Sequence, residues 1–375
     1  MKALRTAGRW MNQAQAMWEV PRDILLLRYP SFVTGGRLPR GHIPVFVFHS
    51  VEPESFQRKL EHIAENGYVT LSVGEYVEIL EGRRQAPERA VLLTFDDGRA
   101  SVFTQGFPLL KQLGMKAVLF LVPARVGSPG GATEGFVTWS QVEELAQSGL
   151  FDIESHSLNH ARVHTKPKVV GFLTPELRYG YRAMDVPLIR SAGNDWFAEG
   201  VALGTPLLTF APRTSEALRF YEDSQLREAC VAEVAAGGGE AFFARPDWEA
   251  KLRRIAARRH VSGRFESPLE RELAIRRELE ESKRQIEEHT GRPVRHLCYP
   301  WHASGPTARR LASELGYKTA FCGKVPGVPV TPVGGDLLAI ARLGEDYVEL
   351  LPGRGRKSLA GVLRHKWQRR TGTKG

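Results

Sequence analysis

The sequence predicts an α/β fold in which short parallel strands alternate with helices. From residue 44 onward, short apolar runs recur between amphipathic segments. This alternation requires right-handed crossovers and therefore a parallel sheet, which is either open or closed into a barrel. Two acidic residues end one of the apolar runs, and two histidines spaced by four positions follow another. Both pairs therefore fall at the carboxyl ends of predicted strands, where parallel folds assemble their sites.

The predicted elements follow the chain in order. Apolar and β-branched runs predict strands at 45–49, 68–70, 90–95, 117–122, 151–155, 294–299, 317–321 and 337–342. Apolar residues at helical spacing predict helices at 53–65, 73–81, 100–113, 138–147, 268–289 and 305–315. The pattern alone does not separate an open sheet from a barrel.

The composition indicates a soluble globular protein. The 375 residues are 42% hydrophobic and 25% charged, and they suffice for one large domain with an insertion. The first twenty residues lack a continuous apolar segment, and the longest apolar run, 117–122, is too short to span a bilayer. The odd number of cysteines, three, agrees with a reducing compartment. We therefore expect a cytoplasmic protein.

The net charge of +10 is concentrated at the two ends of the chain. Residues 1–43 hold seven Lys/Arg against two acids, and residues 350–375 hold eight against none. Both ends also carry apolar residues at helical spacing, including Trp10, Trp18 and Trp367. Such segments can lie on the anionic inner face of a membrane, or their apolar stripes can pack on the protein. No nucleic-acid-binding motif accompanies them, so nucleic acid is not an expected partner.

The run 91–95 delivers two adjacent carboxylates, Asp96 and Asp97, to a turn at Gly98. A buried strand that ends in two acids suggests chemistry at the sheet edge. Asp-Asp-Gly is also a common turn sequence, so the pattern by itself leaves both interpretations open.

A histidine pair, His156 and His160, follows the predicted strand at 151–155. Histidines four positions apart on a helical turn project from one face, which suits two imidazole nitrogens on one metal ion. Together with Asp97 they would form a site of two histidines and one carboxylate, with positions left for water and substrate. The alternative interpretation is a polar helix face.

Three motifs then make the chain recognisable. Thr94-Phe95-Asp96-Asp97-Gly98, His156-Ser157-Leu158-Asn159-His160 and Cys298-Tyr299-Pro300-Trp301-His302 resemble, in order, the first three motifs of the polysaccharide deacetylase family. This family is also described as NodB homology or carbohydrate esterase family 4. The segment 44–51 further resembles the first strand of the branch that deacetylates poly-N-acetylglucosamine.

The resemblance implies a distorted (β/α) barrel of the NodB type, usually with seven strands. It divides the chain into a basic N-terminal segment (1–43), a first barrel part (44–162), an insertion (163–262), a second barrel part (263–347) and a basic tail (348–375). The insertion is rich in aromatic residues, so it is not a disordered linker. Because it leaves the barrel directly after the histidine pair, we expect it to wall the site and to shape substrate choice.

The resemblance also implies roles for individual residues. It makes Asp97, His156 and His160 the ligands of a divalent metal ion and Asp96 the general base. Tyr299, Pro300 and Trp301 form the substrate motif, in which the backbone N–H of Trp301 would stabilise the oxyanion. Zn²⁺ suits the ligands best, and Fe²⁺, Co²⁺ or Ni²⁺ is compatible with them.

Two positions depart from the family pattern. Cys298 and His302 stand where the family often has Arg and Gly, and the missing Arg normally orients the base. Arg342, after the last predicted strand, is a candidate replacement. The usual Leu-x-His motif that carries the general acid is not visible in 337–342. We therefore predict His302 as the acid, with an exposed loop histidine as the alternative, and assign no role to His49.

The sequence therefore predicts a metal-dependent hydrolase that removes the N-acetyl group from an amino sugar in a glycan or glycan precursor. The expected partner is an N-acetylated sugar. Two alternatives stay open: hydrolysis of another amide, such as a formylated amino sugar, and a catalytically inactive barrel that binds glycan or lipid.

Overall fold

The computed structural model describes Arg22 and residues 28–127, 135–191 and 193–371. The apolar stripe that contains Trp10 and Trp18 lies outside the described residues, and the side chain of Trp367 is not described either. In the parts that are described, no helix combines the length and the apolar character needed to cross a bilayer.

Strands and helices alternate along the barrel portions as predicted. The strands are β1 (Val45–Phe48), β2 (Val69–Thr70), β3 (Ala90–Phe95), β4 (Ala117–Leu121), β5 (Phe151–Ser155), β6 (Arg162–Phe172), β7 (Ile189–Ser191), β8 (Asn194–Trp196), β9 (Pro206–Pro212), β10 (Phe220–Glu222), β11 (Gly263–Phe265), β12 (His296–Cys298), β13 (Thr319–Phe321) and β14 (Leu343–Gly344). The α-helices are α1 (Pro53–Glu65), α2 (Val73–Leu80), α3 (Phe107–Leu113), α4 (Trp139–Gln147), α5 (Pro175–Arg178), α6 (Gln225–Ala236), α7 (Trp248–Arg258), α8 (Pro268–Thr290), α9 (Pro306–Glu314) and α10 (Leu359–Thr371).

Eight of these strands form the main sheet, in the order β13-β12-β5-β4-β3-β1-β14, with β2 also paired to β3. All the strand pairings within it are parallel. Parallel pairing places the carboxyl ends of these strands at one edge of the sheet. The predicted α/β class is therefore confirmed.

The segment 340–344 closes the sheet by contacting both of its edges. Ile340 bridges Phe321 of β13, and Leu343 pairs with Phe46 of β1, both in parallel. The strand predicted at 337–342 was therefore wrong in position, since the ladder covers only Leu343–Gly344. The reason is that the backbone hydrogen bonds of this segment are divided between two neighbours, which leaves too short a run on either one to extend the strand.

Strand β3 shows how the period of two in a strand positions the site. Val91, Leu93 and Phe95 point into the larger apolar cluster beneath the helices. Ala90 and Leu92 point into a second cluster on the opposite, inner face. The inner face becomes polar toward the carboxyl end, where buried Thr94 and Asp96 follow in the same register.

Helix starts follow signals visible in the sequence. Helices α2, α4 and α8 each begin with a capping box, in which the cap side chain and the residue three positions later satisfy each other's backbone N–H. The helix predicted at 100–113 differs from the structure, because it opens with a π-helical segment, Val102–Gly106, before α3. Pro108 provides a reason, since it has no N–H with which to continue α-helical bonding to residue 104.

The insertion forms its own packed unit. Strands β6 and β9 pair in antiparallel fashion, and a separate apolar cluster includes Phe172, Leu207, Phe242 and Leu252. At the other end of the chain, α10 rests on the barrel through buried Val362, and Leu359 packs against the larger cluster. These two contacts support the interpretation that the C-terminal apolar stripe packs on the protein.

Gly98 provides a test of the turn that carries the two acids. Its φ is +80°, and an added Cβ would lie 2.6 Å from Leu121 Cδ1. We expect Gly98→Ala to lower the free energy of unfolding by about 2–4 kcal/mol, because left-handed strain adds to overpacking. Gly114→Ala is the control, since its φ is +61° but nothing lies within 4 Å of its Cβ position. Urea denaturation that gave equal losses for both variants would contradict the packing argument.

Candidate metal and catalytic site

The two acids lie at the carboxyl end of β3, directly beside the end of β1. Asp96 donates its backbone N–H to the carbonyl of Phe48, so it continues the ladder with β1. At Asp97 the chain turns sharply, with a φ of +74° followed by +80° at Gly98. The turn separates the neighbouring carboxylates, so that Asp96 stays on the inner face while Asp97 faces the histidine pair.

Strained backbone is concentrated around this point. Five non-glycine residues within the described ranges have positive φ: Asp97, Ser157, His160, Trp301 and His302. All of them lie in the three motifs that the sequence singled out. A non-glycine residue in this conformation costs of the order of 1 kcal/mol, and such strain clusters at functional sites.

Asp97, His156 and His160 converge as the sequence predicted. Asp97 Oδ1 lies 3.7 Å from His156 Nε2 and 3.8 Å from His160 Nε2. Zinc binds nitrogen and carboxylate oxygen at about 2.0–2.2 Å, so one ion can reach all three atoms from between them. All three side chains are buried.

The protonation of the histidines also suits a metal ion. His156 Nδ1 lies 2.8 Å from the carbonyl oxygen of Cys298, which can only accept, so Nδ1 is the donor of this bond and Nε2 is the ring nitrogen that faces Asp97. Burial, with the neighbouring His156, lowers the pKa of His160 to about 3, so its ring is neutral near pH 7. Neutral imidazole is the form that binds metals.

A second group of potential ligands shares His156. Asp96, His156 and Cys298 also bring one ligand atom each within 4.8 Å of one another. Both Asp96 oxygens, however, already accept from Arg342, and burial raises the pKa of the Cys298 thiol well above its usual value. A protonated thiol is a poor ligand. The set that contains Asp97 is therefore the better fit.

Arg342 binds Asp96 in the position predicted for an orienting arginine. Its Nη1 and Nη2 donate to Oδ1 and Oδ2 of Asp96, both at 2.7 Å, and its Nε donates to the carbonyl of Cys322 at 2.9 Å. Burial raises the pKa of Asp96, but the charges of Arg342 and His156 outweigh it and hold this pKa below its usual range. Asp96 is therefore a carboxylate at neutral pH and can accept a proton.

Helix α8 fixes the turn between the two histidines. The backbone N–H and the side-chain amide of Asn159 donate to the carboxylate of Glu278, at 2.9 and 2.6 Å. Leu158 donates its N–H to the backbone carbonyl of Glu278 at 2.9 Å. Glu278 lies far from this turn in sequence and was not predicted. A buried acid in an amphipathic helix was the only signal that could have indicated it.

Trp301 lies between a candidate ligand and the base of the insertion. Its ring centroid is 4.7 Å from that of His160, and the Arg162 guanidinium lies 3.4 Å from its ring centroid on the insertion side. Asp185 holds Arg162 through its backbone carbonyl, at 3.1 Å, and its carboxylate. The segment 163–262 therefore reaches the third motif indirectly, through the contact of Asp185 with Arg162.

The remaining residues of the third motif differ in exposure. Tyr299 and Pro300 are buried, and the Tyr299 ring lies in the larger apolar cluster. Their side chains are therefore not exposed to a substrate, in contrast to the prediction. They instead shape the loop that presents Trp301. His302 is exposed, and its ring packs so closely against Gly323 that a Cβ added to this glycine would lie 2.8 Å from His302 Cγ.

His49, to which the sequence assigned no role, lies beside the two acids. It is half-buried, and it is among the groups that lower the pKa of both Asp96 and Asp97. It also borders a cleft of about 810 Å³. The cleft lining includes His49, Arg58, Lys59, Arg99, Tyr181 and Glu345. The sequence contained a signal for this location, because His49 directly follows the first predicted strand. Since β1 pairs with β3, the residue after β1 lies next to the acids that follow β3.

The segment that carries the two acids and the histidine pair is similar to known proteins. Residues 83–174, which contain the two acids and both histidines, match the family model described as polysaccharide deacetylase. Poly-beta-1,6-N-acetyl-D-glucosamine N-deacetylase of Escherichia coli K12 is 35% identical over 122 residues, covering 30% of this chain and 18% of that protein. The protein of the same name from Staphylococcus epidermidis is 27% identical over 109 residues, covering 29% and 37%. The chain thus spans less than half the length of these curated relatives.

Solved structures show the same fold. The deacetylase domain of BpsB from Bordetella bronchiseptica aligns with a TM-score of 0.52 at 22% identity, covering 82% of this chain and 97% of that one. The de-N-acetylase from Aggregatibacter actinomycetemcomitans also gives 0.52, at 20% identity, covering 80% and 94%. These alignments extend the similarity well beyond the segment matched by the family model, to most of the barrel.

Single substitutions distinguish the two candidate ligand sets. We expect Cys298→Ala to retain one equivalent of Zn²⁺ or Co²⁺ and His160→Ala to lose it, because His160 belongs to the ligand set with Asp97 and Cys298 does not. Metal content after dialysis and the absorption spectrum of the Co²⁺-loaded protein provide the measurements. Loss of metal in Cys298→Ala together with a thiolate charge-transfer band in the unsubstituted protein would identify the other set instead.

Proposed function

We propose that this chain, which carries a polysaccharide deacetylase domain, removes the N-acetyl group from an amino sugar by metal-dependent hydrolysis. The observation that supports this most directly is the convergence of Asp97, His156 and His160 beside a second carboxylate, Asp96, that is held in its ionised form. Hydrolysis of an amide needs an activated water, a base, an oxyanion partner and an acid.

Asp97, His156 and His160 would hold the ion. When bound there, a divalent metal ion lowers the pKa of water and polarises an amide carbonyl. Asp96 would accept the proton from the attacking water, since it is ionised and its Oδ2 lies 3.9 Å from Nε2 of His156, one of the proposed metal ligands. Arg342 fixes the orientation of this base. The backbone N–H of Trp301 would stabilise the negative charge that develops on the carbonyl oxygen.

Two histidines compete for the role of general acid. The prediction for His302 stays a prediction. Although part of its side chain is exposed, desolvation of the ring where it packs on the protein, with the charge of Arg342 in second place, lowers its pKa to about 4, so the protonated ring is scarce at neutral pH. His49 borders the cleft of about 810 Å³ and lies near enough to Asp96 and Asp97 to lower the pKa of both carboxyl groups. We therefore propose His49 as the second candidate for protonating the leaving amine.

The finer properties of the reaction stay proposals. Zn²⁺ is the proposed ion because two imidazoles and a carboxylate suit it, although other divalent metals share this preference. A formylated amino sugar is an alternative substrate for the same centre. Cytoplasmic location and contact of the basic ends with an anionic membrane also stay predictions.

Replacement of the base tests hydrolysis most directly. We expect Asp96→Asn to keep the metal ion but to lower kcat for acetate release by about 10²–10⁴-fold, because an amide cannot accept the proton from water. Acetate release from N-acetylglucosamine oligomers and metal content are measured on the same preparation. Release of formate from N-formylated sugars, without release of acetate from the N-acetylated oligomers, would favour the alternative amide. Metal binding without any product from the unsubstituted protein would support a non-catalytic barrel.

Matched histidine variants identify the acid. We expect His49→Gln to lower kcat by about 10²-fold or more. His302→Gln should lower kcat by less than tenfold, because only a small fraction of the His302 ring is protonated near pH 7. A substrate whose leaving group needs no protonation, such as an aryl acetate ester, should restore His49→Gln selectively. The reverse ranking of the two variants would return the role to His302.

A further inference from the structure

The insertion supplies one aromatic side chain to the large cleft beside the two acids. Tyr181 borders the cleft of about 810 Å³ that His49 also borders, and it is 47% exposed. It lies in the 3₁₀ helix Gly180–Asp185, within the insertion. The proposed reaction assigns no role to this residue.

Arg99 fixes the place of this ring relative to the proposed metal site. The central carbon of its guanidinium lies over the Tyr181 ring, 4.3 Å from the centroid, and 4.6 Å from the centroid of Phe136. Its Nε lies 3.6 Å from Asp97 Oδ2. The arginine therefore covers one face of the Tyr181 ring, and the exposed part of the ring borders the cleft one side chain away from a proposed metal ligand.

The short helix that carries Tyr181 is held at two further points. Nη2 of Arg99 contacts Sδ of the buried Met184 at 3.3 Å. Asp185 accepts from Arg162 through its backbone carbonyl and pairs with it through its carboxylate. A side chain on a segment anchored in this way loses little freedom when a ligand binds to it.

A second side chain on the same cleft has an unsatisfied polar atom. Gln105 borders the cleft, and its Oε1 is buried without a hydrogen-bond partner in the part of the chain that the structure describes. It belongs to the π-helical segment Val102–Gly106, and such segments are frequent at functional sites. A half-turn of the amide exchanges its oxygen and nitrogen, so Gln105 can offer a hydroxyl group either an acceptor or a donor.

The chemistry of these two side chains suits an uncharged sugar ring. An aromatic ring packs on the apolar C–H face of a sugar, while a phenol hydroxyl and an amide bind its hydroxyl groups. The Tyr181 hydroxyl keeps its proton at neutral pH, because burial and then the charges of Asp97 and Asp185 raise its pKa. A cleft of 810 Å³ is also large for a ligand site, which typically measures about 300–1,000 Å³, so it has room for more than one N-acetyl group.

We propose that Tyr181 and Gln105 form a binding subsite for the sugar unit next to the one that is deacetylated. This inference rests on the proposed function, because it names the substrate of the same site as a glycan of at least two units. Since Tyr181 reaches the proposed metal ligand through Arg99, a sugar packed on its ring lies to one side of the reacting amide and not over it. The insertion thereby acts in substrate choice through one identified side chain.

Three substitutions test the subsite, with one matched control. Tyr181→Phe keeps the ring against Arg99 but removes the hydroxyl, whereas Tyr181→Ala removes both. Gln105→Leu removes the amide at similar size. Tyr179→Ala is the control, because Tyr179 lies on the same segment, is 58% exposed and does not belong to the described lining of the cleft.

Binding and turnover are measured on the full chain loaded with metal. Calorimetry in the Asp96→Asn background gives Kd for N-acetylglucosamine and for its β-1,4-linked and β-1,6-linked trimers. Acetate release with Asp96 in place gives kcat and KM for the single sugar and for the trimer that binds more tightly. Metal content is determined for each variant, and an unchanged value in Tyr181→Phe shows that the proposed ligands are undisturbed.

We expect Tyr181→Ala to raise Kd and KM for the trimer by about tenfold or more. Tyr181→Phe and Gln105→Leu should raise them by about three- to tenfold, since one hydrogen bond contributes roughly such a factor. In each variant the loss for the trimer should exceed the loss for the single sugar. Tyr179→Ala should bind the trimer like the unsubstituted protein.

The outcomes separate this inference from the proposed function. Equal losses for trimer and single sugar, or equal effects of Tyr181→Ala and Tyr179→Ala, would overturn the subsite while hydrolysis stands. Trimer binding that depends on Tyr181 and Gln105, without acetate from any sugar, would support the subsite and overturn the deacetylase. An unsubstituted protein that neither binds a trimer nor releases acetate would overturn both proposals.

Discussion

The buried pair of Arg342 and Asp96 is the interaction on which the barrel and the site both depend. Two charges removed from water are costly, and only good geometry with further hydrogen bonds offsets the cost. Here both carboxylate oxygens are bound at 2.7 Å, and Nε of Arg342 is satisfied by the Cys322 carbonyl. Because Arg342 belongs to the segment that closes the sheet, the same contact joins the last part of the chain to β3 and keeps the proposed base ionised.

The site consists of strained turns held from outside by more regular structure. The histidine turn is fixed to α8 through Asn159 and Glu278, and Trp301 is held between His160 and Arg162. A catalytic constellation keeps its geometry only when neighbouring groups lock its side chains. Left-handed conformations at Asp97 and His160 therefore have a physical explanation: they direct the ligand atoms toward one point, and the surrounding contacts offset their cost.

Two parts of the chain outside the barrel, the insertion and the N-terminal segment, contribute residues around the site. Tyr181 of the insertion packs over Arg99 beside Asp97, and Asp185 orients the arginine that stacks on Trp301. On the other side, Arg22 and Arg28 line a cavity that His302 also borders. The insertion and the N-terminal segment therefore border the site at different places.

The sequence by itself determined the parallel α/β class, the strand that carries Asp96 and Asp97, and the histidine pair, because strand and helix periodicity and short motifs are local properties. Arg342 was a candidate only because the family resemblance called for an arginine near Asp96. Tertiary structure decided what depends on contacts distant in the chain. The predicted strand at 337–342 shrank because its hydrogen bonds are shared between β13 and β1. Tyr299 turned inward although its motif suggested substrate contact. Contacts between distant segments also placed three residues beside the site. Parallel pairing of β1 with β3 placed His49, the packing of α8 placed Glu278, and the contact with Asp185 placed Arg162. No local pattern in the sequence specifies such contacts.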